Sequence, residues 1–270
     1  MTIGTNTNNR KDKNVLIALP SPRDIPEIKA AMDRITEYDK LWIKYSPEYI
    51  SYPIMREQFL NHPSQHYTHL VICPDDLLID DKSKLQLLLD DYDNCLLPEE
   101  RDKTIICGYC NVDHGANSKY ANITKHDVAP VRKDRGYSWI WLDELEHIRQ
   151  VQDHFDHHKD YIKRYLVSVR FAGFPLIVIP RKAIEQIPFR NDSYTGKFDE
   201  FGCCVDVMFC HDAIKKGFQI YADTRVRLNH LKISDVETGK LLHQSAVAAA
   251  YEKRGFYHYY EYSKEIKVVS

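Results

Sequence analysis

The sequence predicts an α/β domain with a mostly parallel central sheet flanked by helices, of the doubly wound kind. Three observations carry that expectation. Apolar runs and stretches of helical periodicity alternate from Val15 to Tyr109, the order of a parallel sheet with crossover helices. Two of the runs stop at proline loops, Pro20-Ser21-Pro22 and Pro74-Asp75-Asp76, so the chain leaves the sheet abruptly there. At 270 residues, 43% hydrophobic and 28% charged, the chain can bury a core as one large domain or two small ones.

The elements follow in order. Residues 1–13 are polar and read as a loose tail. Val15 to Leu19 is a first strand, closed by the proline loop. Asp24 then caps a helix whose apolar positions Ile28, Met32 and Ile35 recur at helical spacing. Leu41 to Ile43 is a second strand, and Tyr52 to Leu60 a helix entered through Pro53 with Arg56 among its apolar residues. Leu70 to Cys73 is a buried third strand that delivers Asp75 and Asp76, and a Leu-rich helix from Lys82 to Asp91 follows. Thr104 to Tyr109 is the fourth strand. Asn111 to Arg135 is polar and reads as a long loop region. Trp139 and Trp141 lie two apart on a strand and share one face, either as a core-facing pair or as a sugar-stacking wall. Leu166 to Arg170 and Leu176 to Ile179 read as two strands joined by the tight turn Phe171 to Pro175, with a short helix from Pro180 to Ile187. A helix from about Val205 to Lys216 ends at Gly217, where a C-cap glycine belongs. Phe218 to Tyr221 and Val226 to His230 are the last strands, separated by a turn at Asp223. The domain therefore spans residues 14–232, and residues 233–270 form an extension with an Ala-rich helical piece and a tyrosine cluster.

The formal net charge of -2, without a basic block, argues against nucleic acid as a partner, because phosphate neutralisation needs clustered Lys and Arg. No apolar run approaches the ~20 residues that span a bilayer, and the first residues lack a secretory apolar region. The expectation is a cytoplasmic, not membrane-spanning protein. Seven cysteines without framework spacing read as buried thiols in a reducing compartment. Cys107-x-x-Cys110, and His154-x-x-His157 on a charged helix, are weak metal signals without further ligands nearby.

Pro74-Asp75-Asp76 is the stretch with chemistry in it. Two adjacent carboxylates at the end of a buried strand suit a divalent cation at a sheet edge, and the same residues suit an ordinary turn. In parallel α/β sheets ligands bind outside the carboxyl ends of the strands. The Pro20–Arg23 loop and the acidic turn both lie there.

The order of a first strand ending in a Pro loop, a strand ending in paired acids, Ala172-Gly173-Phe174-Pro175, Asp206 before a helix and a strand ending in His230 resembles the GT-A fold glycosyltransferases. The likeness is to the inverting family 2 type, which uses nucleotide sugars, and it covers roughly residues 14–232. It implies the GT-A (nucleotide-diphospho-sugar transferase) fold and transfer of a sugar from a nucleoside-diphosphate sugar to an acceptor hydroxyl. By position, the acidic pair is similar to the DXD motif that holds Mn2+ or Mg2+ on the diphosphate, with Asp76 as ligand and Asp75 in support. Pro74 stands where the first acid of an aspartate triplet often stands. Asp206 is similar to the catalytic base, although Val205 replaces the acid that often precedes it, and His230 to a late metal ligand. Pro20, Ser21 and Arg23 would flank the nucleotide base, and Arg56 would reach a phosphate. The acceptor, whether glycan, lipid or protein, is not named by these residues.

Other readings lack their residues. The first strand is followed by Pro20-Ser21-Pro22-Arg23 rather than a Gly-rich phosphate loop, no Walker motif occurs, and no G-x-S-x-G elbow occurs. The departures at Pro74 and Val205 leave one alternative: a catalytically inactive GT-A domain that binds nucleotide sugar or glycan without transfer.

Overall fold

A computed structural model of the chain describes residues 13–21, 26–44, 48–63, 66–111, 119–125, 139–154, 165–190, 205–230 and 267–269. The elements in chain order are β1 (Val15–Ser21), α1 (Pro26–Asp33), β2 (Asp39–Lys44), α2 (Glu48–Asn61), β3 (His69–Ile72), β4 (Leu77–Leu78), α3 (Ser83–Asn94), α4 (Pro98–Arg101), β5 (Thr104–Tyr109), β6 (Tyr120–Thr124), β7 (Trp139–Trp141), α5 (Leu142–His154), β8 (Leu166–Val169), β9 (Phe171–Ala172), β10 (Ile177–Pro180), α6 (Arg181–Gln186), α7 (Val205–Lys215), β11 (Gln219–Arg227), β12 (Asn229–His230) and β13 (Lys267–Val269).

An eight-stranded sheet in the order β13-β2-β1-β3-β10-β5-β11-β8 forms the centre. The β2-β1-β3 and β5-β11 pairings are parallel; β10, β8 and β13 pair antiparallel with their neighbours. The class is α/β, with a mixed sheet flanked by helices. The long apolar runs in the sequence are explained by burial on both faces. Along β1, Leu16 and Ala18 enter one core while Val15, Ile17 and Leu19 enter the other, and Leu70 and Ile72 of β3 oppose Val71 in the same way. Each fully buried Leu or Ile contributes about 1.5–3 kcal/mol, so truncating Ile17, which is 0% exposed, is expected to cost about 2–5 kcal/mol.

Proline in a central strand normally removes a ladder bond. Pro20 escapes that cost. Ala18 accepts from Cys73 N at 3.1 Å on the β3 side, and Pro20, two residues on, faces the same side beyond the end of β3.

Several sequence expectations are corrected here. Leu166 to Arg170 and Leu176 to Ile179 are not partners in a hairpin: β8 pairs with β11 at the sheet edge, while β10 inserts between β3 and β5. The reason is the Gly173–Leu176 turn, in which Phe174 and Leu176 both adopt φ of 49°, costing of order 1–3 kcal/mol each. The ring of Phe174 is buried against Tyr52, Phe189 and Phe209 at centroid distances of 5.5, 6.1 and 5.5 Å, and that packing holds the turn. Asp223 does not turn the chain; it lies inside the continuous strand β11 because Arg225 neutralises it. The expected loop from Asn111 to Arg135 contains strand β6, which pairs with β7 and β9. Helix α2 starts a turn earlier than Pro53, which sits within it. Gly217 is the C-cap, with φ of 82°. From the expected extension, β13 pairs with β2; the Ala-rich piece and tyrosine cluster lie outside the described residues.

Candidate functional site

The chain leaves β3 at the carboxyl end of the parallel strands. Leu77 N bonds back to Pro74 O at 3.3 Å, closing the turn that carries Asp75 and Asp76. An ordinary acidic turn would sit in water, but Asp75 is 1% exposed and Asp76 7%. Buried carboxylates need compensating partners. One is supplied from far along the chain: β4 pairs antiparallel with β12, His230 opposite Leu77, which brings His230 Nε2 to 3.3 Å from Asp76 Oδ2. The pairing of two short strands thus joins Asp76 and His230.

The protonation of His230 follows from its other contact. Nδ1 lies 3.0 Å from the carbonyl of Asn111, and a carbonyl only accepts, so Nδ1 carries hydrogen and donates. In the neutral ring Nε2 then turns a lone pair toward the Asp76 carboxylate, which is repulsive. An imidazolium relieves it, and so does a cation shared by both atoms. Fixing one ring nitrogen on a backbone carbonyl is the usual way to orient a metal-binding histidine. Two ligands at right angles on an octahedral cation, each about 2.1 Å away, stand about 3 Å apart, close to the 3.3 Å seen here. One carboxylate and one imidazole fit a divalent cation that completes its shell with phosphate and water. Among the described residues no group of three or more His, Cys, Asp or Glu is placed to hold a metal ion.

Asp206 sits in the first turn of α7, where the helix dipole favours a negative charge. Its Oδ1 accepts from Val207 N at 2.8 Å. Burial dominates nonetheless and pushes the carboxyl up to about 7, with the backbone N–H groups pulling the other way. Helix α7 is tied to the Gly173 turn by Cys210 Sγ on Ala172 O. A methyl group on Gly173 would stand 3.5 Å from Asp206 Oδ2 and 3.2 Å from Asn122 Nδ2, so the glycine keeps this approach open.

The two parts meet across the β5–β6 junction. Cys110 and Asn122 exchange hydrogen bonds, Asn122 N to Cys110 O at 2.9 Å and Cys110 N to Asn122 Oδ1 at 3.0 Å. Asn111, whose carbonyl holds His230, bridges to Ala121, and Gly173 N bonds Asn122 O at 3.0 Å. Neighbouring residues of this junction therefore position His230 on one side and flank Asp206 on the other.

The remaining expected site residues divide. Pro20 is buried at the end of β1 and Ser21 closes the strand in register with Lys44, at the same sheet edge as the acidic turn. Arg23 lies outside the described residues. Arg56 is committed elsewhere: its guanidinium donates to the carbonyls of Ile184 at 2.8 Å and Glu185 at 3.0 Å, tying α2 to α6. A cation that sequence reading passed over lies closer to the pair. Exposed Arg227 donates from Nη2 to Asn111 Oδ1 at 3.3 Å, on the residue whose carbonyl orients His230. Asn111 and Asn122 act largely through backbone groups and short contacts, which no residue pattern signals. Trp141 is 47% exposed, which removes it from the core-facing pair considered above; the Trp139 side chain and His157 lie outside the described residues. Cys73, Cys95, Cys107, Cys110 and Cys210 are buried free thiols, and burial raises the thiol pKa of each. Among the described residues no helix is long and apolar enough to cross a membrane.

Comparison with known proteins adds little. No protein-family model matches the chain, and no curated protein matches it. Among solved structures it is similar to that described as A197 from STIV, at 13% identity and a TM-score of 0.45, over 85% of this chain and 98% of that one.

Proposed function

We propose that the chain is a metal-dependent glycosyltransferase of the GT-A kind, moving a sugar from a nucleoside-diphosphate sugar to an acceptor hydroxyl with inversion. The observation that carries the reading is the approach of His230 Nε2 to Asp76 Oδ2 at 3.3 Å, made by residues far apart in sequence at the carboxyl edge of the parallel strands, where substrates bind in such sheets. Asp76 and His230 would hold Mn2+ or Mg2+, which supplies charge neutralisation at the departing diphosphate. Asp75 supports the turn from within. Arg227 takes the phosphate-facing part that the family likeness implied for Arg56, because Asn111 ties it to the same edge. Pro20 and Ser21 border the space for the nucleotide base.

Asp206 is the base. Its carboxylate accepts the proton of the acceptor hydroxyl as that oxygen bonds to the anomeric carbon. The bond from that carbon to the diphosphate oxygen breaks on the opposite face, and its electron pair leaves with the diphosphate. A base poised near neutral pH suits this task. Because the deprotonated form works, kcat/KM is expected to rise with pH to about 7, the value toward which burial pushes Asp206, and then to level off. The test is turnover of a nucleotide-sugar panel with Mn2+. Asp206→Asn should lower kcat by about 10²–10⁴-fold, and Asp76→Asn should also lose transfer. Wild-type rates in both variants would sink the proposal.

A further inference from the structure

We propose that Tyr120 and Trp141 form a stacking subsite for a sugar ring, so that the acceptor is a glycan. The inference rests on the transferase reading for its direction and on the surface for its substance. Among the described residues the exposed large apolar side chains are Leu97, Tyr120, Trp141 and Val151. Tyr120 and Trp141 are opposed across β6 and β7, with ring centroids 4.6 Å apart and planes tilted by 50°.

Trp141 keeps 47% and Tyr120 37% of its surface in water. Leu142 N donates to Lys119 O at 2.9 Å beside the rings, which ties the two strands where the rings sit. Aromatic rings with a polar tip suit the C–H faces and hydroxyl rims of a pyranose.

Position decides the occupant. Tyr120 lies two residues from Asn122 along β6, at most about 7 Å of strand, and the Asn122 amide and Asp206 Oδ2 flank the same point above Gly173. The rings therefore lie within about one or two sugar units of the proposed base. A glycan stacked there would present its next hydroxyl toward Asp206. Neither a lipid tail nor a protein surface needs two tilted rings beside a single carboxylate.

The test uses the full chain and titration calorimetry with maltotetraose, cellotetraose and chitotetraose, without any donor. At least one should bind in the millimolar range or tighter. Trp141→Ala and Tyr120→Ala should each weaken that affinity about tenfold or more, and Trp141→Phe should stay within about threefold of wild type. Both residues are substantially exposed, so the melting temperature of each variant reports whether the fold is kept. Binding by none of the three glycans, or undiminished binding in Trp141→Ala, overturns the subsite. Thermal shifts with UDP, GDP, ADP or CDP plus Mn2+ on the same preparations separate the two ideas. Glycan binding without any nucleotide shift removes the transferase reading and keeps the subsite. A nucleotide shift without glycan binding does the reverse.

Discussion

Among the described residues, two pairs of acids less than a tenth exposed, Asp91 with Asp223 and Asp75 with Asp76, are balanced differently. Between α3 and the sheet, Asp91 of α3 and Asp223 of β11 are 2% and 0% exposed, and Arg225 answers both. Its Nη2 reaches Asp91 Oδ1 at 2.5 Å and Asp223 Oδ2 at 2.7 Å, Nε reaches Asp223 Oδ1 at 3.0 Å, and the guanidinium lies 4.2 Å from the centre of the Tyr165 ring. At the sheet edge, Asp75 and Asp76 are buried, with the His230 imidazole 3.3 Å from Asp76 and exposed Arg227 on Asn111. The interior trio closes its charge balance with protein groups and one proton. At the edge, the group beside Asp76 is an imidazole rather than a guanidinium. The first group ties α3 to β11 within the fold; the second lies at the carboxyl edge of the parallel strands, where the proposed cation would bind.

The sharpest way to break that contrast is to remove the interior cation. Arg225→Ala leaves two buried carboxyls facing one another and is expected to cost about 3–5 kcal/mol of stability, read by denaturant unfolding. The same truncation at the edge, Arg227→Ala, should leave stability within about 0.5 kcal/mol while weakening nucleoside-diphosphate binding about tenfold. Equal stability losses at the two arginines would erase the distinction.

Titration sharpens it further. One guanidinium balances one carboxylate, so burial, with the Asp223 charge beside it, raises the Asp91 carboxyl well above the carboxylate range, to about 8. A raised carboxyl pKa means that the folded chain binds more protons than the unfolded one. Its contribution is therefore complete below the unfolded value, about 4, and is lost as pH rises from there through about 8. Asp91 Oδ2 is buried without a hydrogen-bond partner among the described residues, as suits a carboxyl that need not carry charge. Asp91→Asn should cost about 1 kcal/mol or less at pH 7 and flatten this slope, measured as stability from pH 5 to 8. An unchanged slope would place the proton elsewhere. The smallest expected effect is at Gly173→Ala. The added methyl would stand at 3.2 Å from Asn122 Nδ2 and 3.5 Å from Asp206 Oδ2, so transfer should fall several-fold with stability within about 1 kcal/mol.

What the sequence disclosed, and what it withheld, follows the same division. The strands β1, β2, β3 and β5 were legible because burial on both faces writes itself as continuous apolar runs. Asp75, Asp76 and His230 were legible as an ordered set, and the pairing of β4 with β12 brings Asp76 and His230 together. The antiparallel insertion of β10 was not legible, since local patterns do not say which strand lies beside which, and the deciding feature is a pair of positive φ angles at Phe174 and Leu176. Asp223 was misread as a turn because its partner Arg225 gives the acid a reason to be inside a strand only once both are placed. Arg56 looked like a phosphate ligand, and its use on the Ile184 and Glu185 carbonyls depends on α6 packing against α2, which no spacing predicts.

The central claim, that Asp76 and His230 hold a cation for a diphosphate, is tested most directly by thermal melting with Mn2+ and nucleoside diphosphates, alone and together. In the wild type, the combination should raise the melting temperature, since a ligand at a hundredfold its Kd stabilises by about 2.7 kcal/mol, and each component alone should do much less. In Asp76→Asn the combined shift should disappear. A flat wild-type response to every nucleotide, or an equal shift in Asp76→Asn, would contradict the claim.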